Sequence, residues 1–401
     1  MSIISNKEIF FKHIAQTSKA PIGLEIVKAE GVYQYDSTGK KYIDLISGFN
    51  VANIGHSNPK VIEAVKQQAE KYMHLIVYGE FIESPQTGYA KLLTQHLPSN
   101  LNCVYFTNSG AEATEGALKL AKRATNRTNI IAFNKSYHGS TQGALSVMGD
   151  EYFRNAFRPL LPGIIHVDYN SDEIFELINE NTACVILETI QAESGIAIPS
   201  KKWMQQLREK CTEQNTLLIL DEIQAGFGRT GTLWAFEQFD IVPDILLLGK
   251  ALGGGMPLGA FISSRDLMQT LSFNPALGHI TTFGGHPVGC AAGKAASQVL
   301  LNNNYIKNVK SKEELFLSQL NHPLIKRINH FGLWISVQFD SAETAQNIIH
   351  NCIKNGCITD WFLFAPDCLR IAPPLCIKDE EIMNACSVIL NAINDQQKNF
   401  A

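Results

Sequence analysis

The sequence lacks the features that mark membrane, secreted and nucleic-acid-binding proteins. No apolar run approaches the ~20 residues that a bilayer-spanning helix needs. The N-terminal stretch MSIISNKEIFFKHIAQTSK carries charge throughout, so we expect no signal peptide. Lysine and arginine total 34 against 38 aspartates and glutamates, a net charge of −4, which gives no electrostatic attraction to a nucleic acid or an anionic membrane. We therefore expect neither among its partners.

A disulfide framework and a zinc-binding cysteine cluster are also missing. The nine cysteines are odd in number, and no two of them form a CxxC pair. Free thiols of this kind are typical of a reducing compartment. We therefore expect a cytoplasmic protein without a metal site.

What the sequence does contain is a series of short apolar runs, most of them separated by segments with helical spacing. The runs are Cys103–Phe106, Ile130–Phe133, Ile164–Val167, Cys184–Leu187, Leu217–Leu220, Ile245–Leu248 and Ala260–Ile262. This alternation predicts an α/β fold with a mostly parallel, seven-stranded sheet flanked by helices. At 401 residues the chain exceeds one ordinary domain. We expect a large domain over residues 50–300, a small α+β domain over 301–401, and an N-terminal arm and hairpin over 1–49 that packs with the small domain.

Two of the predicted strands end abruptly in charge. Asp221 and Glu222 follow Leu217–Leu220, and Gly249 and Lys250 follow Ile245–Leu248. Ligands of open α/β sheets bind beyond the carboxyl ends of the strands, so both ends serve one crevice. Pyridoxal 5'-phosphate requires such a pair, because a lysine holds its aldehyde and an acid keeps its ring nitrogen protonated. We interpret Lys250 and Asp221 as catalytic; a surface lysine and a capping aspartate are the alternatives.

Loops after two earlier strands contain candidates for holding the rest of such a cofactor. Ser109 is a good helix N-cap and Gly110 permits close approach, so the helix that begins there can bind a phosphate through its N–H groups and dipole. Tyr137, followed by His138 and Gly139, can stack on a flat ring. A plain capped helix and a half-buried tyrosine in a surface turn remain open as alternatives.

Two charged side chains are candidates for substrate recognition. Arg370, in LRIAPPL, lies on an otherwise apolar strand, and its planar guanidinium suits a substrate carboxylate. Glu193, in LETIQAESG, follows a strand, where burial of a carboxylate is costly unless it is paired. A structural ion pair is the alternative for Arg370. A solvated loop is the alternative for Glu193 and for the neighbouring Glu188, which it fits at least as well. Gln224 is placed to reach the phenolic oxygen of the ring, and the hydroxyl of Thr282 offers a further phosphate ligand.

Almost from end to end, the chain resembles the class III (ornithine/acetylornithine/4-aminobutyrate-type) aminotransferases of pyridoxal phosphate fold type I. The most specific segments are LLILDEIQAGFGRTG and the lysine-bearing LLLGKALGGGMPLGA, and NSGAEATEGALKLAK and TTFGGHPVGCAAG add to them. The resemblance implies a homodimer in which Lys250 binds the cofactor and shuttles a proton. The residues it implies for cofactor contacts are Ser109, Gly110, Ala111, Tyr137, His138, Asp221, Ile223, Gln224, Lys250 and, at the phosphate of the neighbouring subunit, Thr282.

The resemblance also implies how substrates are told apart. Glu193 neutralises Arg370 while an ω-amine is bound and releases it for a dicarboxylate. Ser140 stands where ornithine and acetylornithine enzymes usually carry the arginine of HGR, and Phe49 where the ornithine type carries a tyrosine. Together these four side chains form the expected substrate-binding set.

We expect a ping-pong aminotransferase that moves an amino group from an ornithine- or acetylornithine-like donor to 2-oxoglutarate. The alternatives are a diaminopelargonate-type or 4-aminobutyrate-type transaminase, an aminomutase or decarboxylase of the same fold, and a non-catalytic protein that binds a phosphate ligand. No GxxxxGK[ST] loop supports the last of these.

Overall fold

The computed structural model describes residues 5–398, and its strands form three sheets. In chain order the strands are β1 (Ile26–Glu30), β2 (Tyr33–Asp36), β3 (Lys41–Asp44), β4 (Cys103–Thr107), β5 (Asn129–Phe133), β6 (Ile164–Val167), β7 (Thr182–Glu188), β8 (Leu217–Asp221), β9 (Ile245–Leu248), β10 (Gly259–Ser263), β11 (Arg327–His330), β12 (Ile335–Gln338), β13 (Cys357–Ile358), β14 (Trp361–Phe362) and β15 (Ala365–Ile371).

The largest sheet has the strand order β4-β10-β9-β8-β7-β5-β6. The strands from β9 to β6 run parallel, whereas β10 is antiparallel to both β9 and β4. Each of the seven predicted apolar runs is a strand of this sheet. The prediction of an α/β fold with a mostly parallel seven-stranded sheet is confirmed.

Both faces of this sheet are buried, which explains why its strands are continuous apolar runs rather than alternating ones. Ile186, Ile219 and Leu247 face one way, into a cluster that includes Ala117 and Leu120 of the helix Gly110–Thr125. The adjacent positions Leu187, Leu220 and Leu248 face a second cluster that includes Trp203 and Leu207 of another helix. The packed sheet thereby fixes the strand ends at which the charged residues lie.

Helices cover the sheet and connect its strands. The α-helices are Asn6–His13, Pro59–Lys71, Ser84–Thr94, Gly110–Thr125, Gln142–Ser146, Glu151–Arg154, Ile174–Leu177, Lys201–Glu213, Arg265–Gln269, Pro287–Leu301, Val309–Gln319, Ala342–Lys354 and Asp379–Lys398, and the 3-10 helices are Asn155–Phe157, Ala235–Phe239 and Lys250–Gly253. Side chains of Asn58, Ser109, Ser200 and Ser341 cap the starts of four of them, as short polar side chains do for the unpaired N–H groups. Across residues 5–398 none of the helices combines the length and the apolar character that crossing a bilayer requires.

Two four-stranded sheets lie outside the central one, with the orders β1-β2-β3-β13 and β11-β12-β15-β14. In the first, β3 pairs parallel with β13, so that Asp44 is opposite Ile358. The N-terminal hairpin and a segment near the C-terminus therefore share a sheet. The division of the chain at residues 49 and 300 stays a prediction.

Candidate active site

A cavity of about 340 Å³ opens at the carboxyl ends of β7, β8 and β9, beside the start of the helix Gly110–Thr125. This is the edge at which open α/β sheets bind ligands. The predicted site residues that line it are Gly110, Ala111, Tyr137, His138, Ser140, Asp221, Ile223, Gln224 and Lys250.

Lys250 enters the cavity from the turn that follows β9. Its backbone lies in the left-handed region, with a φ of 48°, a strained conformation for a residue with a Cβ and one that clusters at functional sites. Burial lowers the pKa of its amine to about 8, against the opposing effect of Glu193. The structure thus supplies a lysine that loses its proton far more readily than one in water.

Asp221 is the last residue of β8 and is buried. Its Oδ1 accepts a hydrogen bond from the backbone N–H of Ile223 at 2.9 Å, and its Oδ2 lies 2.7 Å from Nδ1 of His138. Both contacts fix the carboxylate at the cavity wall. His138 therefore orients the acid that the sequence predicts for the ring nitrogen.

Glu188 lies beside Asp221, because the two residues are in register on adjacent parallel strands. Its carboxylate accepts hydrogen bonds from the backbone N–H groups of Tyr137 at 3.0 Å and Ala192 at 2.9 Å. Burial and the neighbouring Asp221 raise the pKa of Glu188 well above its ordinary value. The solvated loop considered for Glu188 is wrong: this side chain is buried and lines the cavity.

Another part of the cavity wall is formed by glycines and by the start of the helix Gly110–Thr125. A Cβ on Gly110 would lie 2.7 Å from Cδ1 of Ile223, and one on Gly139 would lie 2.6 Å from the Cβ of Ala111. Ser109 caps the helix, with its Oγ accepting from the N–H of Glu112 at 3.2 Å. The first N–H groups of a helix have no partner within it and attract anions, so this wall suits a phosphate.

Glu193 and Arg370 form an ion pair beside the cavity, which we call the carboxylate clamp. Gln224 of the cavity wall donates from Nε2 to Oε1 of Glu193 at 3.2 Å. Arg370 donates from Nη2 and Nη1 to the two oxygens of Glu193 at 2.8 and 3.2 Å. Burial would raise the pKa of Glu193, but Arg370 outweighs it and holds that pKa at about 2. The ion pair that the sequence left open is present, as one face of a larger cluster.

Phe49 covers this clamp from an unusual turn. All four residues of Ser47–Asn50 have positive φ angles, so they form one left-handed helical turn. The ring of Phe49 lies 5.2 Å from Cζ of Arg370. Arg229 anchors the turn by donating to the hydroxyl of Ser47 at 3.1 Å and to Oδ1 of Asn53 at 2.8 Å.

The predicted site residues fall into two groups. Most surround the cavity or the clamp beside it, whereas Thr282 is exposed and is not among the residues that line the cavity. The sequence did not reveal Asp360, because no motif or periodic pattern marks it. In the fold its carboxylate accepts from Nε of Arg370 at 2.9 Å. The sequence also did not reveal Arg229, although the FGRTG segment that contains it was singled out as specific.

The buried polar atoms of the cavity fit pyridoxal phosphate. Within the described residues, Nε2 of His138 and Oε1 of Gln224 are buried without a hydrogen-bond partner. A lysine of lowered pKa, a buried aspartate and a glycine-lined helix start surround one space. The mostly parallel sheet, together with this lysine, aspartate and helix start, defines a pyridoxal-phosphate-dependent transferase of fold type I.

Comparisons with known proteins narrow the class to a family. The model of the "Aminotransferase class-III" family matches residues 14–393, so the chain belongs to that family. It is 38% identical over 386 residues to the acetylornithine aminotransferase of Methanopyrus kandleri, covering 95% of this chain and 96% of that one. It is 36% identical over 376 residues to that of Bacillus subtilis, covering 92% and 95%.

Solved structures agree with the family. The ornithine aminotransferase of Toxoplasma gondii, whose structure has partial occupancy of pyridoxal phosphate at its active site, superimposes with a TM-score of 0.90 at 30% identity, covering 98% of this chain and 95% of that one. The predictions of a class III aminotransferase, of fold type I and of pyridoxal phosphate as cofactor are confirmed.

Proposed function

We propose that this aminotransferase moves an amino group from the ω-amine of an acetylornithine- or ornithine-like donor to 2-oxoglutarate, in two half-reactions that use one site in turn. The observation that carries the proposal is the bidentate Arg370–Glu193 pair beside the cavity of Lys250. The reacting carbon of an ω-amine bears no carboxylate, whereas that of glutamate does. A pair that stays closed for the first substrate and opens for the second serves both.

Pyridoxal phosphate, when bound, supplies an aldehyde that accepts the amino group and a protonated ring that draws electrons from the substrate carbon. We assign its phosphate to the N–H groups of Gly110 and Ala111, and its ring to the space between Tyr137 and Ile223. Ser109 and His138 complete the set, the first by capping the helix and the second by orienting Asp221.

Lys250 is the residue to which we assign proton transfer. Since its pKa is about 8, its amine is neutral often enough near neutral pH to accept a proton from the substrate carbon and return it. Asp221 is assigned to the ring nitrogen, where its negative charge favours the protonated form. Gln224 is assigned to the phenolic oxygen, since its Nε2 has a second proton besides the one given to Glu193.

The choice of donor rests on Phe49 and Ser140. Ser140 is exposed at the cavity, where its Oγ lies 3.2 Å from the hydroxyl of Tyr137. A serine offers a neutral contact where the arginine of related enzymes grips an α-carboxylate, which keeps a 4-aminobutyrate-type donor as the second candidate. The relatives named acetylornithine aminotransferase favour the acetylornithine-like donor over this second candidate.

We propose a homodimer with shared active sites as the active form, in the cytoplasm. Phe283, next to Thr282, is exposed, and so is Met73, next to His74; exposed apolar patches of this kind mark protein–protein contacts. The rings of His74 and Phe283, 4.7 Å apart, join the two segments into one surface. All nine cysteines are free thiols, which suits a reducing compartment.

A half-reaction screen tests the proposal. Purified holoenzyme is mixed with N-acetylornithine, ornithine or 4-aminobutyrate while the absorbance of the bound cofactor is followed. We expect N-acetylornithine to bleach the absorbance and 2-oxoglutarate to restore it. Turnover without any 2-oxo acid would point to an aminomutase or decarboxylase, and a response to 4-aminobutyrate alone would replace the donor.

A further inference from the structure

Arg370 is paired with two carboxylates, on different edges of its guanidinium. Its Nη1 and Nη2 edge faces Glu193, whereas Nε donates to Oδ1 of Asp360 at 2.9 Å. All three side chains are buried. The cluster therefore contains one positive and two negative groups, so that one carboxylate can leave without stranding the cation.

The two carboxylates are held in different ways. Asp360 immediately precedes β14, which pairs with β15, and the backbone N–H of Arg370 donates to its carbonyl at 2.8 Å. Asp360 and Arg370 are thus parts of one hairpin and move together. Glu193 comes from the loop after β7, and its carboxylate accepts hydrogen bonds from the side chains of Arg370 and Gln224 and from the N–H of Leu363 at 2.9 Å. Its backbone carbonyl separately accepts from the N–H of Phe364 at 2.9 Å, so the carboxylate can leave Arg370 while the backbone stays attached to the hairpin.

Besides Arg370, two carboxylates act on Asp360: those of Glu193 and Asp44. Burial raises the pKa of Asp360 to about 6, Arg370 opposes that rise, and Glu193 and Asp44 add to it. Asp44 is itself paired with Nε2 of His56 at 2.7 Å. Asp360 is thus a carboxylate whose charge repels whichever carboxylate occupies the other edge of Arg370.

We propose that Asp360 is a positioning residue that sets how fast Arg370 exchanges its carboxylate partners. It holds the guanidinium plane through Nε, and its charge weakens equally the bonds of Arg370 to Glu193 and to an incoming substrate carboxylate. Exchange is accelerated in both directions, while the equilibrium between the two partners hardly changes. This inference rests on the proposed function, in which Arg370 receives a carboxylate of 2-oxoglutarate.

Binding of glutarate, a dicarboxylate without a keto group, to the holoenzyme at pH 8 tests the proposal. Calorimetry gives the Kd, and line broadening of the glutarate NMR signals gives the dissociation rate. Asp360→Asn keeps an acceptor for Nε but removes the charge. We expect its association and dissociation rates for glutarate each to be roughly ten- to a hundredfold lower, because the repulsion that is lost is that between like charges about 6 Å apart. Its Kd should stay within about threefold of wild type. Asp360→Ala also loses the acceptor, so its Kd should rise above that of Asp360→Asn.

The matched control is Asp367→Asn, on the same hairpin, whose carboxylate accepts from Gln338 at 2.8 Å; its rates should equal those of wild type. A second test varies the pH instead of the sequence. In wild-type protein the association and dissociation of glutarate should slow below about pH 6, as Asp360 takes up a proton, whereas the rates of Asp360→Asn should show no such change. Unchanged rates in Asp360→Asn, or a Kd that falls alone, would overturn the proposal. Wild-type protein that binds no glutarate would instead contradict the proposed function.

Discussion

Replacing Glu193 by glutamine should shift the enzyme's preference from the ω-amine donor towards glutamate. In the closed clamp, Glu193 accepts two hydrogen bonds from Arg370, one from Leu363 and one from Gln224. Glutamine keeps the size of the side chain but offers one acceptor atom and no charge. Because a hydrogen bond to a charged group contributes about 1.5–3 kcal/mol, the closed clamp should weaken by that amount.

The two half-reactions should respond in opposite directions. Opening the clamp no longer requires breaking a charged pair, so the kcat/KM of the glutamate half-reaction should rise by about ten- to a hundredfold. The ω-amine half-reaction should slow, since the Nη1 and Nη2 edge of Arg370 loses its charged partner opposite a carbon without a carboxylate, although Asp360 still accepts from Nε. Because Arg370 holds the pKa of Glu193 at about 2, protonation does not open the wild-type clamp near neutral pH.

Single-turnover measurements with glutamate and with N-acetylornithine, following the absorbance of the bound cofactor, separate these effects. Glu314→Gln is the control, since that carboxylate is 64% exposed and lies 3.9 Å from Lys310, outside the clamp. Equal changes in both half-reactions of Glu193→Gln would refute the reasoning, because they would show that Glu193 does not discriminate between substrates.

Three further predictions follow from named contacts. The rate at which apoenzyme captures pyridoxal phosphate should rise with pH to a midpoint near 8, since the neutral amine of Lys250 is required and burial lowers its pKa to about that value; stopped-flow absorbance with a midpoint above 10 would contradict this. Gly139→Ala should weaken cofactor binding by at least about tenfold, because its Cβ would lie 2.6 Å from that of Ala111, a clash costing about 1–3 kcal/mol. Equilibrium dialysis measures the Kd for pyridoxal phosphate. The control Gly39→Ala, at a positive φ with open space around it, should bind the cofactor as tightly as wild type. Arg229→Met should lower the free energy of unfolding by at least about 3 kcal/mol, since four hydrogen bonds from its guanidinium are lost. An unchanged Tm in calorimetry would show that these bonds do not stabilise the fold.

The central sheet was predictable because burial on both faces leaves an uninterrupted apolar run that needs no knowledge of its neighbours. Asp221 was predictable for a related reason, as the residue that ends such a run. Its neighbour Glu222 is also an acid but faces the other way, where it accepts from the N–H groups of Ala235 and Phe236. Successive residues of a strand point to opposite faces, so one acid serves the cavity and the other the fold.

The remaining parts of the site depend on contacts between distant segments. Asp360 gains its role from Arg370 on the neighbouring strand, and Arg229 from acceptors at Ser47 and Leu333. The left-handed turn that presents Phe49 is only hinted at by its glycine and asparagine, the residues that best tolerate positive φ. Such long-range pairings are properties of the folded chain and leave no periodic pattern in the sequence.

The claim that Lys250 and Asp221, at adjacent strand ends, hold one cofactor is tested most directly by locating the covalent attachment. Holoenzyme is reduced with borohydride, digested, and mapped by mass spectrometry, with Lys250→Ala treated in parallel. We predict a single pyridoxyl-phosphate label on Lys250 and no label in the variant. A label on another lysine, or equal labelling of the variant, would contradict the account.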